Sequence, residues 1–306
     1  MDERSLCNEE KMTAKTGFVI RANLIPKCYS DIPVVIFTSL IIPTLYWFEL
    51  FVVFSSIFPS PSVIYNIIFT MGLFEIHNLM GNFIAIVICD TSIKGRPLPD
   101  ENQIGVKYCS ICETITPPRS FHCPSCDICI LKRDHHCVFT SCCIGHFNHR
   151  YFFNFILHIC VTVLFCMPFN IYFLWDAFTF REFSFVASLV FPVVLLIIDL
   201  GPGNISTDQI YLILFCIETL GLLFCTSWFI LHLKLICQGT IIHEMKRYIN
   251  WYDLGKKKNI EMVFGRRWYL TWLSPFITSE LPSDGISYPM RKDIVKRSKH
   301  HKEKAS

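Results

Sequence analysis

Cysteine and histidine give a chain its softest metal ligands and its strongest nucleophiles, and in this one they crowd together. Eight of the sixteen cysteines fall between residues 109 and 148. Cys109 and Cys112 form one C-x2-C step, Cys123 and Cys126 form a second, and Cys129, Cys137, Cys142 and Cys143 follow, with His122, His135 and His136 among them. No charged n-region, short apolar core and cleavage site open the chain, so a cleaved secretory protein is not expected. The cysteines then read as reduced metal ligands rather than as a disulfide framework. Thiolates mixed with imidazoles in sets of four predict structural zinc.

Neighbours on an extended segment point to opposite sides, so His122 and Cys123 should serve different ions. Two interleaved sets follow: Cys109, Cys112, His122 and Cys129 in one, and Cys123, Cys126, His136 and Cys143 in the other. Each holds three cysteines and one histidine. Asp134, His135 and Cys137 are left outside both, and a thiol beside an imidazole beside a carboxylate is the composition of an activated nucleophile. The competing reading is a purely structural zinc module with a spare cysteine.

Asp134-His135-His136-Cys137, preceded by Cys123-Pro-Ser-Cys126-Asp-Ile-Cys129, resembles the signature of the DHHC family of membrane protein S-acyltransferases. Pro118-Arg119, Cys143-Ile144-Gly145 and Asn148 are similar to that family's cysteine-rich domain as well. The resemblance implies two structural zinc ions and an acyl group carried on Cys137, with His135 taking the thiol proton and Asp134 supporting the imidazolium. It also implies palmitoyl-CoA or another acyl-CoA as co-substrate, and ping-pong transfer to protein cysteines. Beyond the last apolar stretch, Glu244, Asn259, Val263-Phe264-Gly265, Trp272-Leu-Ser-Pro-Phe276 and Asp284-Gly285 resemble the family's C-terminal block. This makes Glu244 and Asn259 supporting residues.

The chain also departs from the family pattern. Val138-Phe139 stands where Pro-Trp is usual, Cys142 where Asn is frequent, and Asp90-Thr91-Ser92 for Asp-Pro-Gly. Ile241-Ile242-His243-Glu244 keeps only the glutamate of a Thr-Thr-x-Glu block, which removes a hydroxyl expected to fix Asp134. A divergent but working enzyme is expected. The alternative is a catalytically weak paralogue acting as a membrane zinc-domain adaptor; a RING-type ligase fits the ligand order poorly.

The elements that must hold these residues are apolar. At 306 residues, 52% hydrophobic with 28 phenylalanines, the chain exceeds what a soluble core needs. Stretches from about 33 to 58, 63 to 89, 151 to 175 and 210 to 236 are each long enough to cross a bilayer. The expected fold is therefore an α-helical integral membrane protein with four transmembrane helices and a cytosolic double-zinc cysteine-rich domain between helices 2 and 3. Its parts are a leader (1–32), helices 1 and 2 (33–89), the zinc domain (90–148), helices 3 and 4 with a lumenal apolar loop (149–236), and a C-terminal region with a basic tail (237–306). Lys94, Arg96, Lys107, Arg119, Lys132 and Arg133 mark the zinc domain as cytosolic, and the lysines and arginines after residue 234 do the same for the C-terminal region. Phe183–Leu200 is read as lumenal and non-crossing, beside the sequon Asn204-Ile-Ser206. Glu75, Asn78 and Asn82 share one helix face and Asn154 and His158 another, as packing polar groups inside the bundle. Lys302 and Lys304 resemble a dilysine return signal, which suggests the endoplasmic reticulum or Golgi. Expected partners are acyl-CoA, the lipid bilayer and membrane-associated proteins with cytosolic cysteines; no nucleic acid is expected.

Overall fold

A computed structural model describes residues 19–97, 99–101, 103–177 and 207–296. The apolar stretch 183–200, the sequon at Asn204 and the lysines at 302 and 304 lie outside the described residues. Four helices dominate. Helix α1 (Ile32–Phe48) is prolonged by a π-helical turn (Glu49–Val53) and a last turn (Phe54–Ile57), and runs unbroken through Pro43. Helix α2 covers Val63–Ile88, α3 His149–Ala177 and α4 Thr207–Cys237. Each contains a window long and apolar enough to cross a membrane. Their outward residues are apolar too: Leu164 and Leu220 are 60% and 67% exposed. A helix that is apolar all round belongs in lipid. Helical hydroxyls donate to carbonyls one turn back, as Thr38 does to Val34 and Ser227 to Leu223, which satisfies them without water.

The chain divides into two compact units, Met1–Thr38 with Met80–Phe155 and Ile230–Ser306, and Ser39–Leu79 with Ile156–Phe229. Among its described residues the second is helical apart from the turn at 58–62. Leu50, Phe54, Ile68 and Cys166 form its core, with Tyr65, Phe69 and Phe169 packed on it. Polar side chains tie its helices across the apolar interior. His158 Nδ1 meets Glu75 at 2.8 Å, and Asn170 Nδ2 donates to both Glu49 and Glu218 at 2.7 Å.

The first unit carries the eight clustered cysteines. Between α2 and α3 run three antiparallel hairpins of one design: β1 (Lys107–Cys109) with β2 (Thr114–Thr116), β3 (Phe121–Cys123) with β4 (Ile128–Ile130), and β5 (His135–Cys137) with β6 (Cys142–Ile144). The residue before each return strand is left-handed: Glu113, Asp127 and Ser141, with φ of 49°, 50° and 46°. Three-residue hairpins cannot stand alone in water, so something else must hold them. Residues 91–93 brace the second hairpin, with Ile93 N–H donating to the Cys129 carbonyl and Leu131 N–H to that of Thr91. Gly145 follows the third hairpin where a Cβ would lie 2.6 Å from the Leu131 carbonyl, so no larger residue fits. After α4 come the short α5 (Ile242–Lys246) and α6 (Lys256–Phe264). Asn154 on α3 donates to the Thr271 carbonyl of the segment beyond α6, and Pro275 covers Gly81 of α2.

Candidate metal centres and nucleophile

The hairpins repeat every fourteen residues, and the repeat explains how their side chains are shared. Cys109, Cys123 and Cys137 end the first strands of the three hairpins, paired in register with Thr114, Ile128 and Cys142. His122 pairs with Cys129 and His136 with Cys143. Each hairpin thus offers a knuckle on one side and, in the second and third, a histidine–cysteine pair on the other. The knuckle of hairpin one meets the pair of hairpin two, bringing together Cys109, Cys112, His122 and Cys129. The knuckle of hairpin two meets the pair of hairpin three, bringing together Cys123, Cys126, His136 and Cys143. In each set all donor atoms lie within 4.8 Å of one another.

The edges of these sets suit a tetrahedral ion. Cys112 Sγ lies 3.3 Å from His122 Nδ1, and Cys126 Sγ lies 3.3 Å from His136 Nδ1 and 3.7 Å from Cys143 Sγ. Bonds of about 2.3 Å to sulfur and 2.0 Å to nitrogen give tetrahedral edges of roughly 3.5–3.8 Å. Three thiolates and one imidazole are a zinc donor set, and both sets fit that metal.

Among the described residues the third knuckle has no fourth hairpin to meet. Cys137 therefore occupies the position that belongs to a quartet in the first two repeats but belongs to none here, and Thr140 replaces the second cysteine. Instead Cys137 faces His135, two residues back on the same strand and so on the same side. His135 Nδ1 bonds Asp134 Oδ2 at 2.8 Å, and the ring also hydrogen-bonds the Cys137 thiol. Burial disfavours the imidazolium, but Asp134 and Cys137 outweigh it and hold the His135 pKa up at about 9. Burial likewise raises the thiol, yet His135, with the Thr140 hydroxyl and the Phe139 N–H, brings Cys137 below its usual value. Asp134 is also buried, but its bond to His135 and its neighbouring imidazoles keep its carboxyl well below the carboxylate range. The line thus joins a lowered thiol, a favoured imidazolium and a depressed carboxyl.

Asp134 does not depend on a threonine hydroxyl. Its Oδ1 accepts from the Ile242 backbone N–H at 3.1 Å, and its Oδ2 lies 3.8 Å from His232 Nε2. The amide supplies a contact that the degenerate block was expected to have lost. His232 in turn meets His149 at 3.1 Å, and the Phe152 ring stands edge-on to His135 at 5.0 Å between centroids. His149 and His232 carry no local sequence signal, and only the fold brings them here. The other departure, Cys142, is sealed: burial pushes its thiol up to about 12, and it donates to the Ile86 carbonyl at the end of α2.

The two supporting residues hold the exit of α4. Arg119 donates twice to Glu244, at 2.6 and 2.8 Å, and once to the Gly239 carbonyl at 2.9 Å, under the Tyr252 ring at 4.3 Å. Glu244 also caps the Ile241 N–H. Asn259 donates to the Cys237 carbonyl and to Asp253, and accepts from the Leu254 N–H. Neither touches Cys137. Asn148 closes the third hairpin, accepting from Gly145 N–H and donating to the Cys143 carbonyl.

Four membrane-length helices bearing a double metal module and a cysteine–histidine–aspartate line describe a multi-pass membrane protein of thiol chemistry. The DHHC palmitoyltransferase profile matches residues 102–249. The mouse protein named "Probable palmitoyltransferase ZDHHC24" is 33% identical over 73% of this chain and 78% of its own length; its human counterpart is 34% identical over the same shares. "Probable protein S-acyltransferase 13" of Arabidopsis thaliana is 31% identical over 59% of this chain and 55% of its own. The chain belongs to the DHHC palmitoyltransferase family.

Proposed function

We propose that this protein is a palmitoyl-CoA-dependent protein S-acyltransferase that works through an acyl-enzyme on Cys137. The observation that carries the reading is the hydrogen-bonded line from Asp134 through His135 to a thiol that no metal set claims. In the first half-reaction the Cys137 thiolate attacks the thioester carbonyl of the acyl-CoA. The new thioester forms as the coenzyme A sulfur leaves, taking the proton from the His135 imidazolium. In the second, a substrate cysteine passes its proton to His135 and attacks the acyl-enzyme, and Cys137 leaves as the thiolate. Asp134 fixes the ring and supports its charge in both.

Zinc held by the two quartets would cross-link three hairpins too short to persist unaided, and so fix the strand that carries His135 and Cys137. The third hairpin abuts the ends of two spans, through Cys142 against the Ile86 carbonyl and His135 against Phe152. A chain esterified to Cys137 thus starts at the edge of apolar surroundings, where each buried CH2 contributes about 0.8 kcal/mol. The same position favours substrates whose cysteines lie near the bilayer. The distribution of basic residues supports a cytosolic face for this module, and the endoplasmic reticulum or Golgi is the proposed residence. Purified chain incubated with labelled palmitoyl-CoA and an acceptor peptide should show hydroxylamine-sensitive label on protein before peptide, with ping-pong kinetics. Label reaching peptide without a protein-bound intermediate would overturn the mechanism.

A further inference from the structure

The two quartets have the same chemistry but not the same surroundings. His136 turns Nδ1 toward Cys123, Cys126 and Cys143, at 3.3 to 3.7 Å, and its other ring nitrogen, Nε2, lies 2.8 Å from Asp31 Oδ2. The same carboxylate oxygen accepts from Ser141 Oγ at 3.1 Å. Asp31 is buried, and it belongs to the 3-10 turn Tyr29–Asp31 that leads into the first span, more than a hundred residues away in sequence. The segment before that turn is fixed as well: Arg21 N–H donates to the Ile88 carbonyl and Asp90 N–H to that of Val19. In the other quartet His122 turns Nδ1 toward Cys112, and among the described residues no carboxylate meets its remaining nitrogen.

We propose that Asp31 is the outer carboxylate of the second zinc site, tying the start of the first membrane span to the hairpin that carries Cys137. The inference rests on the reading of Cys123, Cys126, His136 and Cys143 as zinc ligands. A ligating histidine is oriented by the acceptor of its second N–H, and that acceptor also makes it a better donor to the metal. With Nδ1 committed to the ion, Nε2 must carry the proton, and Asp31 accepts it. Because Asp31 also holds Ser141, it grips both sides of the turn between Cys137 and Cys142. Asp31 is therefore a positioning residue. It acts on the nucleophile through His136, the residue immediately before Cys137 on β5.

The test reads each quartet separately in the full-length protein in detergent. Zinc is first counted, then EDTA is added and the freed thiols are pulse-labelled with N-ethylmaleimide and located by mass spectrometry. In Asp31→Asn, Cys123, Cys126 and Cys143 should become labelled about 10–100-fold faster, the usual cost of an outer-shell partner. Cys109, Cys112 and Cys129 should keep their wild-type rate. Ser141→Ala, which leaves the His136 bond intact, should release zinc as wild type does. Equal acceleration at both quartets would show that Asp31 only stabilises the fold, and no acceleration at either would show that it does not support the site. Both results overturn the proposal. Wild-type protein holding fewer than two zinc ions would instead overturn the ligand reading beneath it.

Discussion

Glu244→Gln should impair acyl-enzyme formation severely while leaving both quartets filled. Glu244 and Arg119 form a two-pronged pair whose side chains are only 6% and 3% exposed, too dry for solvent to screen. Removing one charge of a buried pair costs about 3–5 kcal/mol, because the other is left uncompensated. Glutamine can still cap the Ile241 N–H, and Arg119 keeps the Gly239 carbonyl and the Tyr252 ring, so the lower end applies. About 3 kcal/mol is roughly a 100-fold shift against the docked turn, at 1.36 kcal/mol per tenfold. Undocking that turn withdraws the Ile242 amide from Asp134, and with it the support of the imidazolium. The assay is the rate of label transfer from palmitoyl-CoA to the protein, with zinc measured on the same sample. Arg119→Met, Glu244→Met and the double variant complete a double-mutant cycle, in which removing both charges should cost less than the sum of the single losses. A wild-type rate in Glu244→Gln, or strictly additive losses in the double variant, would refute the reasoning.

Other outcomes follow from the same geometry. His135→Ala should slow acylation by about 10²–10⁴-fold, the usual contribution of a general acid–base. In the wild type the rate should rise less with pH than an ordinary thiol's does, since the thiol is lowered and the imidazolium persists up to about 9. Asp134→Asn should restore a rise toward pH 9 like that of an ordinary thiol, read from stopped-time labelling across that range. For stability the signs oppose: the raised His135 contributes fully below its unfolded pKa of about 6.5 and is lost as pH rises through 9, whereas the depressed Asp134 contributes above about 3.9 and is lost in acid. His122→Ala should lose one zinc equivalent and make the hairpins protease-sensitive, because metal and fold are coupled there. Ile241→Thr should change the rate of label transfer to the protein little, because the Ile242 amide already meets Asp134.

What the sequence disclosed depended on range. Ligand type, C-x2-C spacing and strand alternation were enough to sort eight cysteines and histidines into sets, because those signals are local. The four apolar spans were legible for the same reason, within a few residues at each end. The fourteen-residue repeat was also present in the sequence, and it gives the plainest reason why Cys137 is free. The partners of the site were not legible. Arg119 and Glu244, His149 and His232, and Asp31 and His136 are separated by 125, 83 and 105 residues, and no periodicity joins them. The missing threonines misled for a different reason: a backbone amide leaves no trace in residue identity, and the Ile242 N–H meets Asp134 regardless of side chain.

The central claim is that Cys137 carries the acyl group and no metal. Intact-protein and peptide mass spectrometry after brief exposure to palmitoyl-CoA tests it directly, with zinc counted in parallel for wild type and Cys137→Ser. The account predicts one hydroxylamine-labile palmitoyl group on Cys137 in the wild type, none on the variant, and two zinc ions in each. A variant that still acquires the label, or that loses a zinc ion along with its thiol, would contradict it.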